Sequence, residues 1–152
     1  MSTIVMPSPD AGLLAQAPVI VAALRRALPH DAVLSDLAET RAYECDALTG
    51  YRCPPMAVVL PRTTAEVSIA LRICRAHGVP VVPRGAGTSL AGGALPTADS
   101  VVIGTMRLRD VLEIDPANRF IRVQTGVTNL SVSAELDPHD FFYAPDPSSQ
   151  LA

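Results

Sequence analysis

Apolar positions cluster in short blocks along the chain, and their spacing changes from block to block. Residues 13–28 carry a broad apolar stripe that predicts a helix ending at Pro29, preceded by a loose tail over residues 1–11 that contains Pro7 and Pro9. Residues 31–56 show weaker periodicity, with a helical or irregular piece and then the loop CDALTGYRCPP. The pattern sharpens at Ala57. The run AVVL (57–60) is continuous and apolar, as in a strand buried on both faces. A helix is predicted from about Thr64, because Thr63 and Glu66 have capping-box spacing and Val67, Ala70, Leu71 and Cys74 fall on one face. Gly78 supplies a left-handed stop. VPVV (79–82) then reads as a second strand, parallel to the first through a helical crossover.

The second half of the chain is richer in strand signals. SVVIGTM (100–106) predicts a strand, and VLEID and RFIRVQT predict two more, joined by the turn Asp115-Pro116-Ala117-Asn118. Thr128 or Asn129 begins a short helix that runs through Leu136 and stops at Pro138, and FFY (141–143) reads as a last strand. The fold class expected is therefore α+β, a small mixed sheet flanked by helices. Residues 1–56 form an N-terminal tail, helix and loop, and residues 57–152 form the main unit.

Between the second and third strands lies VPRGAGTSLAGGALP, with four glycines inside residues 85–93. Ordering such a segment is entropically costly. It fails as a dinucleotide fingerprint: Gly85 and Gly87 fit G-x-G-x-x-G, but Leu90 replaces the third glycine and no helix follows. A backbone nest for anionic oxygens remains open, with Gly85 and Gly87 allowing close approach, Thr88 and Ser89 adding hydroxyls and Arg84 adding charge. So does a plain surface turn. The rigid polar segment PDPSSQ (145–150) could supply donors to the other side of a diphosphate, or could itself be only a turn.

Composition narrows the chemistry. The chain of 152 residues suits one domain, with 49% apolar residues and a net charge of −3 that gives no basic field for nucleic acid. All twelve positive side chains are Arg, so lysine-dependent phosphate loops and Schiff bases are excluded. The absence of Trp and the six aromatic residues argue against base-stacking platforms. Cys45, Cys53 and Cys74 have no metal-ligand spacing and read as ordinary reduced thiols of a cytoplasmic protein. His30, His77 and His139 read as structural. LLAQAPVIVAAL (13–24) lacks the flanking charges of a leader and the length of a membrane span. It is expected to be an amphipathic helix that docks on a surface the sequence does not specify.

The segments DALTGYR (46–52), VVLPRTTAEV (58–67), GVPVVPRGAGTSLAGGALP (78–96), VLEIDP (111–116), TGVTNL (125–130) and FFYAPDPSSQ (141–150) together resemble the FAD-linked oxidase family, whose flavin domain is of the vanillyl-alcohol oxidase/p-cresol methylhydroxylase type. Within it they resemble the FAD-binding D subunits of glycolate oxidase, and after them D-lactate dehydrogenases. The resemblance implies the first subdomain of a two-part flavin domain, with FAD as cofactor. Its diphosphate would be wrapped by Arg84, Gly85, Ala86, Gly87, Thr88 and Ser89, continued by Gly92 and Gly93. Pro145, Asp146, Ser148 and Ser149 match the second cofactor loop, while Asp46, Tyr51 and Arg52 match an upstream loop of weaker assignment. No catalytic or metal-binding residue is assigned.

GTMRL (104–108) departs mildly from the family's strand ending, and TSLAGG stands where relatives often have TGLSGG. In relatives a further flavin-binding stretch follows PDPSSQ, so the sequence is expected to be an N-terminal portion, inactive alone. The resemblance further implies oxidation of a 2-hydroxy acid, glycolate to glyoxylate above all. It implies a second flavin-domain subunit and an iron–sulfur subunit as partners, and a cytoplasmic location that those partners could bring to the inner membrane. The alternatives are a catalytically inactive truncated fragment, part of a D-lactate dehydrogenase-like enzyme and, least favoured, a stand-alone binding module.

Overall fold

The computed structural model describes residues 6–145, 147–148 and 150–151. Helix α1 spans Ala11–Ala27, two residues earlier than the apolar stripe predicts, because the Asp10 carboxylate caps it by accepting from the Gly12 and Leu13 N–H groups. Pro18 lies inside the helix, and Arg25 and Arg26 sit in its last turn, where positive charge meets the carbonyl end of the dipole. The expected docking is present: Ile20 and Leu24 are fully buried against the main core.

Strand β1 (Val33–Leu34), helix α2 (Leu37–Thr40) and a 3-10 turn (Arg41–Tyr43) follow. β1 is too short to give a periodic signal. Strand β2 (Ala57–Val59) is buried throughout, as its unbroken apolar run requires. Helix α3 (Thr64–His77) starts at Thr63, whose hydroxyl accepts from the Glu66 N–H at 3.1 Å. The reciprocal arm reaches one residue further back than in a standard capping box, with the Glu66 carboxylate accepting from the Arg62 N–H at 2.8 Å. At the far end Gly78 has φ +69°, and the Val79 N–H returns to the Cys74 carbonyl at 2.9 Å.

That helix exit occupies Val79 and Pro80, so strand β3 runs over Val81–Arg84 rather than 79–82. α3 also buries a face centred on Ala70 and Cys74, with Ile69 and Ile73 packed beside them; Leu71, expected on that face, is exposed. Strand β4 (Val101–Gly104) completes a sheet of order β1-β2-β4-β3, in which β2 and β3 both run parallel to β4 and β1 runs antiparallel to β2. The expected parallel crossover exists, but β4 lies between its two strands. α1 and α3 cover one face of this sheet; the other carries Val58, Leu60 and Val102, with Tyr43 and Met106 against them.

Strands β5 (Val111–Asp115) and β6 (Phe120–Val123) form a separate antiparallel hairpin with a register shift between Val111 and Glu113. Its turn is held by Asp115, which accepts from the Asn118 backbone N–H at 3.0 Å and from its side-chain amide at 2.7 Å. Helix α4 (Asn129–Leu136) begins at the Thr128 cap, and the chain then tightens into a 3-10 turn over Asp137–His139 that includes Pro138. The strand expected at 141–143 does not form. Its donors are taken by α4 instead, Phe141 N–H by the Leu136 carbonyl and Tyr143 N–H by the Ser133 hydroxyl, which leaves no ladder to join.

Candidate functional site

The glycine loop leaves the carboxyl end of β3, at the edge of the parallel part of the sheet. Its residues divide into two groups. Gly85, Ala86 and Thr88 line a cleft of about 210 Å³ whose opposite wall is Thr125, Gly126, Val127 and Thr128, with Thr105, Met106, Arg109 and Leu151 completing it. Gly85 faces open space: a Cβ built on it meets nothing within 4 Å. Gly126 is the reverse, since a Cβ there would lie 2.2 Å from the Thr105 carbonyl oxygen and 2.8 Å from that of Leu108. Only glycine lets the 125–128 loop press onto the segment after β4, where its N–H donates to the Leu108 carbonyl at 2.8 Å.

The second group holds the loop in shape. Arg84 is buried, and its guanidinium donates to the Cys45 carbonyl at 2.7 Å while lying 5.7 Å from the centre of the Tyr43 ring. Gly87 has φ +78° and is packed so closely on that guanidinium that a Cβ would fall 2.2 Å from its Nη2. The Ser89 carbonyl accepts from the Ala47 N–H, and its hydroxyl from the Ala91 N–H. Gly92, at φ +75°, opens a separate turn closed by the Leu95 N–H, with Gly93 beside it. Arg84, Gly87, Ser89, Gly92 and Gly93 therefore stand outside the cleft lining among the described residues.

The upstream loop proves to be the clamp on this second group, through Cys45 and Ala47. Asp46 is buried in it; one carboxylate oxygen accepts from the Leu48 N–H at 2.9 Å, and the other has no hydrogen-bond partner among the described residues. Arg52 pairs with Glu44 at the surface.

The second polar segment reaches the cleft from its far side. Asn129 donates its side-chain amide to the Pro145 carbonyl at 2.7 Å, the Leu130 N–H donates to the Gln150 carbonyl, and Leu151 joins the lining. Ser148 belongs to the same turn, whereas Asp146 and Ser149 lie outside the described residues. Sequence reasoning missed Thr105, Met106, Arg109, Thr125, Gly126, Val127 and Thr128 as lining residues. The signal for part of the wall was present in TGVTNL, a Thr- and Gly-bearing stretch that immediately precedes a helix.

The structural thiols behave as expected. Burial pushes Cys74 up to about 11, and desolvation also raises Cys53, with the nearby carboxylates of Asp99 and Glu44 acting in the same direction. No cluster of metal-ligating side chains occurs among the described residues, and none of their helices is long and apolar enough to cross a membrane.

A glycine loop at the end of a parallel strand thus faces, across the cleft, a hydroxyl-bearing loop that opens a helix. The chain belongs to the family described as "FAD binding domain", which matches residues 55–151. Glycolate oxidase subunit GlcD of Escherichia coli (strain K12) is 46% identical over 133 residues, covering 88% of this chain and 27% of the relative. D-lactate dehydrogenase of Anaerostipes hadrus is 30% identical over 98 residues, covering 64% of this chain and 21% of the relative. Among solved structures, p-cresol methylhydroxylase with substrate bound superposes with a TM-score of 0.70 at 22% identity, over 87% of this chain and 26% of that one. An alkyldihydroxyacetonephosphate synthase gives 0.77 at 20% identity, over 97% and 29%. These last two likenesses concern the fold alone. The chain spans about a quarter of the length of the curated relatives it matches, 27% of GlcD.

Proposed function

We propose that the chain is the diphosphate-binding portion of a flavin-dependent 2-hydroxy-acid oxidoreductase, most like glycolate oxidase, and that the 210 Å³ cleft receives the diphosphate of FAD. The observation that carries the reading is the meeting of two polar loops at one cleft, with open space at Gly85 and no room for a side chain at Gly126. The residues present fit the cofactor in chemical type: backbone N–H groups of a glycine turn, threonine hydroxyls, and one guanidinium. When bound, FAD supplies the acceptor for a hydride leaving the substrate carbon, and the protein's share is to bind and orient it.

On this reading Gly85, Ala86 and Thr88 approach the diphosphate from one side. Arg84, Gly87, Ser89, Gly92 and Gly93 act behind them by holding the loop in shape. Pro145 and Ser148 stand outside the cleft lining, with Pro145 tied to the α4 end of the second wall through the Asn129 amide, and Asp146 and Ser149 are assigned to the second cofactor loop by resemblance alone. The cofactor-facing unit starts near residue 57, with residues 1–56 as its cover and clamp. The 2-hydroxy acid, a second flavin-domain subunit, an iron–sulfur subunit and a cytoplasmic site of action, brought to the inner membrane by those subunits, complete the proposal. The similarity to a glycolate oxidase subunit supports the hydroxy acid and a multi-subunit enzyme; the identity of the partner subunits and the location rest on the resemblance alone.

Quenching of flavin fluorescence during titration of FAD with the protein tests the reading. Saturable binding with an affinity in the micromolar range is expected, together with competition by ADP. Failure to quench, in protein whose circular dichroism shows the fold intact, would remove the cofactor assignment.

A further inference from the structure

Among the described residues lining the cleft, Arg109 is the single charged side chain. It lies on the connection between β4 and β5, outside the glycine loop, the 125–128 loop and the 145–150 segment. Its Nε donates to the Met106 carbonyl at 2.6 Å, which pins the inner edge of the guanidinium. Among the described residues its two terminal nitrogens have no hydrogen bond or ion pair. This sets it apart from Arg52, Arg62, Arg107 and Arg122, each of which is paired with a carboxylate. Arg84, the charge that the sequence offers to a phosphate, is committed to the Cys45 carbonyl. Thr88 and Thr125 also have no protein partner for their hydroxyls among the described residues, and both line the same cleft.

A guanidinium held at Nε with its outer fork open is suited to take two oxygens of a phosphate at once. We propose that Arg109 is the charged contact of the cleft, placing its terminal nitrogens on the diphosphate of the flavin dinucleotide, and that Arg84 acts only as a brace. This inference rests on the FAD assignment above. It concerns a cofactor contact at the phosphates, away from the redox-active ring, so it governs affinity and not the chemistry of oxidation.

The test compares wild type, Arg109→Gln and Arg109→Lys with FAD, riboflavin and inorganic pyrophosphate as probes. Loss of one charge-assisted contact predicts a rise of roughly tenfold in the Kd for FAD in Arg109→Gln at low salt. That difference narrows as ionic strength rises, because the site is open to solvent. Arg109→Lys recovers part of the loss. Riboflavin, which lacks phosphate, binds both variants and wild type alike. Arg109 is exposed, so thermal unfolding should be unchanged and the variants remain informative.

Equal FAD affinity in wild type and Arg109→Gln would overturn the Arg109 contact while leaving the cofactor assignment standing. The same holds if riboflavin weakens as much as FAD. Pyrophosphate binding that depends on Arg109, in protein that does not bind FAD, would support the anion contact and remove the flavin. A wild-type protein that binds none of the three probes would overturn both.

Discussion

Gly87 and Arg84 form a unit whose energetics can be worked out from the structure. Replacing Gly87 with Ala keeps a backbone at φ +78°, a conformation that costs an ordinary residue about 1–2 kcal/mol. The new Cβ would also fall 2.2 Å from Nη2 and 2.4 Å from Cζ of Arg84, so the guanidinium must move. Moving it breaks the 2.7 Å bond to the Cys45 carbonyl and the stacking on Tyr43. Those contacts are worth about 1.5–3 and about 0.5–1 kcal/mol. The total is about 3–6 kcal/mol, a large part of a typical domain's stability of about 5–15 kcal/mol.

Urea unfolding followed by circular dichroism, on a cycle of Gly87→Ala, Arg84→Ala and the double variant, separates the two contributions. Once Arg84 is absent, the Gly87 substitution should cost only its backbone share, about 1–2 kcal/mol. The double variant should therefore be destabilised by well under the sum of the two single losses. Additivity within about 0.5 kcal/mol would refute the brace, because it would mean that the guanidinium finds an equally good position elsewhere.

The other glycines of the site should separate stability from binding. Gly126→Ala should destabilise strongly, since its Cβ meets backbone carbonyls that cannot swing away, whereas Gly85→Ala should leave the melting temperature within error and weaken FAD; a stable Gly126→Ala protein would contradict the packing. Thr63→Ala should cost about 1 kcal/mol through loss of the α3 cap, read in the same unfolding assay. Native protein should show no reaction of Cys74 with an aromatic disulfide reagent until it unfolds, because the thiol is fully buried and pushed up to about 11.

Asp99 should make stability pH-dependent on the acid side. Burial raises its carboxyl, but the Asp10 N–H, the Thr97 hydroxyl and its own backbone N–H bring it below the usual range. A group lowered in the fold stabilises above its unfolded value of about 4 and loses that contribution as pH falls. The stability gap between wild type and Asp99→Asn should accordingly be widest near neutrality and shrink below about pH 4. A gap that stays constant across that range would contradict the assignment.

Much of the fold could be read from local signals because those signals are themselves local in cause. The Thr63 cap, the Gly78 stop, the Asp115–Asn118 turn and the apolar run of β2 each depend on residues within a few positions of one another. The errors arose where a distant partner decides. β1 is a strand only because Val33 and Leu34 find Val59 and Val58. Phe141–Tyr143 has strand composition, yet α4 captures its donors. The site shows the same division. The glycine loop was visible as a motif, but its sorting into a lining edge and a braced back was not, since that depends on Cys45, Tyr43 and the helix-opening loop 125–128. Arg109 carried no sequence signal at all: an arginine in a run of alternating charge looks like any solvated side chain until its neighbours in space are known.

The strand order β1-β2-β4-β3 imposes a sequence of events on the growing chain. β2 and β3 are made first, yet neither pairs with the other; both wait for Val101–Gly104, which pairs with each of them. At translation speeds of about 5–20 residues per second, the strand β2 has no parallel partner for a period of several seconds. α1 and α3 can cover one of its faces in the meantime, but its hydrogen-bonding edge stays open to other chains. β4 thus acts as a keystone in time as well as in space. Damage to it removes both parallel ladders together, while damage to β1 frays a single edge, and amide exchange should be slowest at Val102 and Ile103.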